Sequence, residues 1–125
     1  MRPETRYLFT ASMDVDPEKE ALFNEVYDTE HIPFLLKVPG VLAVTRSTLA
    51  PLEMSIGGQR KSIVVEGEPK YSAVYELTDI DVVTSPAWAA AVELGRWPTE
   101  VRPHTRNRRH TMRKVVKQEP AGRTG

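Results

Sequence analysis

The sequence predicts a single α+β domain of ferredoxin-like order, βαββαβ, with a four-stranded antiparallel sheet carrying two helices on one face. Three observations carry that expectation. Period-2 alternation marks residues 6–13 and 71–78, a β-branched run fills about 41–50, and about 108–117 reads as a last, heavily charged strand. Two cap-plus-proline pairs, Asp16-Pro17 and Ser85-Pro86, each open a stretch of helical period. The chain has 125 residues, 40% hydrophobic, and no cysteine, which suits one domain with its own core and no disulfide staple.

Each element has its own reason. In the first strand Tyr7, Phe9, Ala11 and Met13 share one face, and Arg6, Leu8, Thr10 and Ser12 the other. A helix is expected from Pro17, because the Asp16 carboxylate can accept from an orphan backbone N–H and proline loses nothing at the first helical position. Its apolar stripe is Leu22, Phe23, Val26, Tyr27 and Phe34, and Pro33 is expected to kink or end it by removing a backbone donor. Pro39-Gly40 closes the connection to a β-branched second strand at about 41–50. Residues 51–70, with Gly57-Gly58 and Pro69, read as a long loop or an irregular hairpin. The third strand, 71–78, puts Tyr71, Ala73, Tyr75 and Leu77 on one face. A second helix starts at Asp81 or at Ser85-Pro86, carries Trp88, Ala91 and Val92, and stops at Gly95. Residues 96–107 read as loop and about 108–117 as the last strand. The domain is 1–117, with a flexible tail over 118–125. On this plan the second face of the sheet displays Tyr7, Phe9 and Tyr75 or their opposite-face neighbours, and a bare aromatic face marks a buried interface or a nucleic-acid surface.

Charge is balanced at 17 basic and 17 acidic residues but unevenly placed. Residues 1–95 are net acidic, whereas 96–117 gather Arg96, Arg102, Arg106, Arg108, Arg109, Arg113, Lys114 and Lys117 against Glu100 alone. Such a segment can track phosphates, but the third strand, Lys70-Tyr71-Ser72-Ala73-Val74-Tyr75, lacks the Gly-aromatic pattern of an RNA-recognition sheet. Protection of a sheet edge, or complementarity to an acidic partner surface, accounts for the charges better. No run is apolar enough to span a bilayer and the N-terminal residues have no signal-peptide pattern, so a cytoplasmic location is expected.

The segment 23–40, FNEVYDTEHIPFLLKVPG, resembles the dimeric α/β-barrel superfamily, in particular its EthD-like and related small-domain branches. The matching positions are Phe23, Asn24, Tyr27, Glu30, His31, Pro33, Pro39-Gly40 and Arg46, with weaker echoes in Tyr71 to Leu77 and Ser85 to Trp88. The resemblance implies that two ferredoxin-like subunits oppose their sheet faces to form a homodimeric barrel, each keeping a small-molecule pocket between sheet and helices. It implies architecture more than chemistry, since monooxygenases without cofactor, isomerases, cyclases and dehydratases share the fold.

Two residues stand out as proton-transfer candidates. With Phe23 at 0° on a helical wheel, Glu30 falls at about 340°, inside the apolar stripe, and His31 at about 80°, on its flank. A carboxylate there must find a partner, lose its charge or line a pocket; it could equally meet Arg46 or a backbone N–H. His31 has a suitable ordinary pKa, or it could hold the kinked turn through a backbone carbonyl. Asn24, Tyr27, Arg46 and Tyr75 are the expected substrate-binding side chains, and Trp97 is expected to pack against the second helix. His31, His104 and His110 lack metal-ligand spacing, and no phosphate-binding loop or nucleophile motif occurs, so neither metal nor cofactor is expected. The function this supports is binding of a small apolar or aromatic organic compound, with acid–base catalysis on it (isomerase, cyclase, dehydratase or monooxygenase type). A non-catalytic ligand-binding or accessory-subunit role is the alternative, and RNA binding the weakest reading.

Overall fold

The computed structural model describes residues 1–122. Strand β1 (Tyr7–Val15) leads through a 3-10 turn, Pro17–Lys19, into α1 (Glu20–Val26). A π turn, Tyr27–His31, joins α1 to α2 (Ile32–Leu36). After β2 (Val41–Thr48), a hairpin of β3 (Leu52–Ile56) and β4 (Gln59–Ile63) precedes β5 (Tyr71–Leu77). A 3-10 turn, Ile80–Thr84, then opens onto α3 (Pro86–Ala91). Helical turns at Trp97–Val101 and Arg102–His104 deliver the chain to β6 (Thr105–Lys114). The main sheet has the order β2-β5-β1-β6 with every neighbouring pair antiparallel, which is the ferredoxin-like topology expected. No described helix is long and apolar enough to cross a membrane.

The core lies between the sheet and the helices. Ala11, Met13, Ala73, Tyr75 and Leu77 from the sheet meet Phe23, Val26, Tyr27, Leu35 and Trp97. The expectation of a bare aromatic face is therefore wrong: Tyr7, Phe9 and Tyr75 all point to the helix side, where Phe9 packs its ring 5.5 Å from Tyr75 and 5.7 Å from Trp88. The parity of β1 puts Leu8, Thr10 and Ser12 on the open side, opposite Glu76, Val74 and Ser72 of β5. Ser12 and Ser72 share a hydrogen bond there at 2.9 Å.

Three further expectations are corrected, and a fourth, the loop or hairpin over 51–70, resolves to the hairpin. Pro33 neither ends nor breaks the helix, because the π turn comes first: the N–H of Ile32 reaches back to the carbonyl of Tyr27, absorbing one residue before the missing proline donor matters. The Asp16 side chain does not cap; it accepts from Arg106 at 2.6 Å instead. Residues 96–107 are mostly helical turn, and the last strand begins at Thr105 and ends at Lys114 rather than spanning 108–117. Residues 51–70 contain a regular hairpin that stands off the main sheet, turning at Gly57-Gly58 with both φ angles positive. Of the tail, Gln118 donates to the carbonyls of Arg2 and Thr5 at 3.2 Å each, while residues 123–125 lie outside the described residues.

The basic segment is stitched to the molecule's own acidic body. Arg96 pairs with Glu25 and Glu30, Arg102 with Glu93, Arg106 with Asp16, and Arg109 lies 3.8 Å from Glu68. This removes much of the reason to read the segment as a phosphate track.

Candidate functional site

A cavity of about 240 Å³ opens between the π turn and the sheet. Its floor is Phe9, Ala11, Met13 and Tyr75; its walls are Tyr27, His31 and Leu35 on one side and Trp88, Val92 and Trp97 on the other. Arg102, Arg108 and His110 complete the rim.

His31 is the polar centre of this space. It is 5% exposed, lies stacked on Trp97 with ring centroids 4.3 Å apart, and meets Tyr27 edge-on at 5.0 Å. Its Nδ1 is buried without a hydrogen-bond partner. A buried polar atom without a partner costs on the order of 1–3 kcal/mol and asks for an explanation, such as a ligand that completes it. Burial, with Arg102 and Arg108 nearby, lowers its pKa to about 4, so the resting imidazole is neutral.

Beside it, the Tyr27 and Tyr75 hydroxyls share a hydrogen bond at 2.9 Å. Burial pushes both phenols above their ordinary pKa, Tyr75 well above, so they stay protonated. Two coupled hydroxyls offer one proton to each other and one outward, which is the donor an oxyanion needs.

The remaining expected residues divide. Glu30 does not face the cavity: its Oε1 accepts from the Arg96 backbone N–H at 2.9 Å and its Oε2 from Arg96 Nε at 2.6 Å, which holds its pKa below the ordinary carboxylate value. Asn24 and Arg46 are bound to each other, Arg46 Nη2 donating to Asn24 Oδ1 at 2.6 Å. Arg46 also donates to Asp28 at 2.6 Å and lies 4.8 Å over the Tyr27 ring. These two side chains flank a seam beside Tyr27 and Tyr71, and the space there, bordered by Arg46, has no room for a water molecule. They hold Tyr27 from behind. The structure thus brings His31, Tyr27 and Tyr75 together and leaves Glu30, Asn24 and Arg46 outside the cavity.

The helical wheel misplaced Glu30 because it assumed uniform α spacing. Through the π turn each residue advances by about 80° rather than about 100°, which carries His31 to the centre of the buried stripe and Glu30 to its edge. The same phase shift explains why Leu35, and not the expected Phe34, is fully buried in α2. Sequence reasoning also missed Trp88, Arg108 and His110 as lining residues. The alternation of β6 carried a signal, since His110 falls opposite Ala11 and its ring stacks 5.8 Å from Phe9. Among the described residues no three His, Asp or Glu side chains gather as a metal-binding group.

No family model and no curated protein sequence matches the chain. Solved structures do. A cofactor-independent oxygenase, SnoaB from Streptomyces nogalater, is similar over 94% of this chain and 99% of its own, with a TM-score of 0.56 and 16% identity. An ethyl tert-butyl ether D (EthD) family protein from Bacillus halodurans gives a TM-score of 0.54 over 88% of this chain and 99% of its own at 13% identity. The haem degrader MhuD from Mycobacterium tuberculosis, solved with two haems in its active site, gives 0.54 over 91% and 99% at 14% identity. The chain therefore shares a ferredoxin-like fold with these proteins, and at these identities the likeness speaks for the fold alone.

Proposed function

We propose that this protein binds a small, largely aromatic organic molecule in the cavity beside the π turn and moves a proton on it without a cofactor. The observation that carries this reading is the buried, unpartnered Nδ1 of His31 beside the Tyr27–Tyr75 hydroxyl pair. An apolar cleft with few convergent polar groups is the usual form of a ligand site. That a cofactor-independent oxygenase is built on the same fold supports acid–base activation of an organic substrate over other chemistries.

The step follows from the side chains present. A ligand C–H or O–H proton passes to a free ring nitrogen of His31, the electron pair stays on the ligand as an enolate or phenolate, and the hydroxyl of Tyr27 or Tyr75 donates to that oxygen. A pKa of about 4 makes charging His31 costly in the empty cavity. Negative charge developing on the ligand offsets that cost, so proton transfer is coupled to the correct substrate being bound. Isomerisation, cyclisation, dehydration and oxygenation of the resulting carbanion all begin this way. Glu30, although expected to share the work, is assigned to holding the segment before Trp97. The functional unit is a homodimer, a second copy packing on the open sheet face.

The test is ligand screening by quenching of Trp97 and Trp88 fluorescence, followed by turnover assays on the ligands found. His31→Gln is expected to retain fold and binding but to lose turnover by about 10²-fold or more. Equal turnover in His31→Gln would remove His31 from the reaction, binding without turnover would leave a non-catalytic binding protein, and an absence of any ligand would remove the reading altogether.

A further inference from the structure

The rim of the cavity has a sign. None of the side chains lining it is acidic, in a chain with 17 Asp and Glu, while Arg102, Arg108 and His110 all reach it. Arg102 is neutralised by Glu93, at 2.5 and 2.8 Å. Arg108 meets no carboxylate among the described residues; the one polar side-chain neighbour recorded for it is His110 Nε2, at 3.5 Å.

Arg108 faces the cavity through the alternation of β6, which sets it on the same side as His110 and Met112, opposite Ala11 and Phe9. The register of β6 against β1 shifts between Ser12, opposite Arg109, and Asp14, opposite Arg106, so Asn107 and Arg108 together face Met13. The bulge lies on the N-terminal side of Arg108 and shifts the phase of the strand there. It is held firmly: Asn107 takes a φ of 50°, and its Nδ2 donates to Asp14 Oδ2 at 3.0 Å and to the Gly67 carbonyl at 2.8 Å.

We propose that the cavity takes an organic anion, an aromatic carboxylate or phenolate of one or two rings, with its ring among His31, Trp97, Phe9 and Trp88 and its acidic group on Arg108. This rests on the reading of the cavity as a ligand site and adds the charge of the ligand. Size agrees, since a cavity of about 150 Å³ takes up benzene and this one is larger. Direction agrees too: the aromatic walls lie inside and the unpaired guanidinium at the mouth, and a guanidinium binds a carboxylate through paired N–H donors.

The experiment compares 2-naphthoate with its uncharged amide, 2-naphthamide, by tryptophan quenching at low and high salt. The naphthoate is expected to bind about tenfold or more tightly than the amide, with an advantage that shrinks in salt. Arg108→Met should abolish the advantage, bringing the naphthoate down to the affinity of the amide. Asn107→Gly, which keeps the left-handed backbone, should preserve it. Equal affinity for the two compounds, or an advantage that survives Arg108→Met, would overturn the anion site while leaving the cavity reading intact. Failure of both compounds to bind would overturn the two together.

Discussion

His31 is buried against Trp97 at the wall of the cavity, and that burial has a consequence for stability. In the unfolded chain a histidine takes up a proton near pH 6.5, whereas the buried ring does so only at about 4. Stability attributable to the neutral ring is thus fully present above pH 6.5 and is lost as pH falls toward 4, by up to about 3 kcal/mol. Urea melts across this range should show that loss, and His31→Gln should flatten it while leaving the acid response of the carboxylates. Glu30→Gln tests the other expected catalytic residue. Its bonds to Arg96 hold the chain before Trp97, so the variant should melt lower while any turnover of the surviving folded protein stays near wild type. A loss of turnover at an unchanged melting point would return Glu30 to the reaction. At this scale the sequence was half legible: Glu30 and His31 were recognised as adjacent candidates, but choosing between them required the phase of the helix, and a π turn leaves no composition signature beyond the proline that follows it.

At the level of elements, strands β1, β2 and β5 were readable to within two or three residues because alternation and β-branching coincide there. The second helix was readable from Ser85, whose Oγ accepts from the Trp88 N–H at 3.1 Å. The stretch 96–107 was not, because its helical turns follow Gly95 and contain Pro98 and Pro103, which locally argue for loop. What organises that stretch is a contact distant in sequence. Gly95 adopts φ +69°, and a Cβ there would lie 2.6 Å from Glu30 Oε1 and 3.0 Å from Phe34. The absence of a side chain lets Arg96 offer its backbone N–H to Glu30 and seats Trp97 on His31. Gly95→Ala is therefore expected to cost about 1–3 kcal/mol, from the left-handed backbone and the clash together, and to loosen the cavity wall. Chemical denaturation gives the first quantity. Ligand-free tryptophan emission gives the second, shifting to longer wavelength as Trp97 meets water; an unshifted spectrum would mean that the wall is held without Gly95.

For the whole molecule the open sheet face is the surface on which pairing is to be tested. It was expected to be aromatic and is not, so the case for pairing there rests on a different feature. The centre of the face, Thr10, Ser12, Ser72, Val74 and Thr45, carries no charge, although 27% of the chain is charged; Glu76 and Arg113, on either side of Leu8, and Arg109 border it. An antiparallel sheet that simply faces water alternates apolar-in with charged or strongly polar residues out. A charge-depleted centre inside a charged rim is the composition of an interface. The projecting hairpin offers a competing surface, since Leu52, Met54 and Ile56 are 50%, 44% and 44% exposed on one side of it. The two are separable. If the sheet face pairs, Val74→Arg sets a guanidinium near the middle of the interface, where it meets its own copy, and the dimer should dissociate at micromolar concentration. The monomer should keep its fold, because that side chain points away from the core. Met54→Glu should leave the dimer whole. Sedimentation equilibrium on the three proteins distinguishes the cases: a monomeric wild type removes the dimer, and a dimer broken by Met54→Glu but not by Val74→Arg moves the contact to the hairpin.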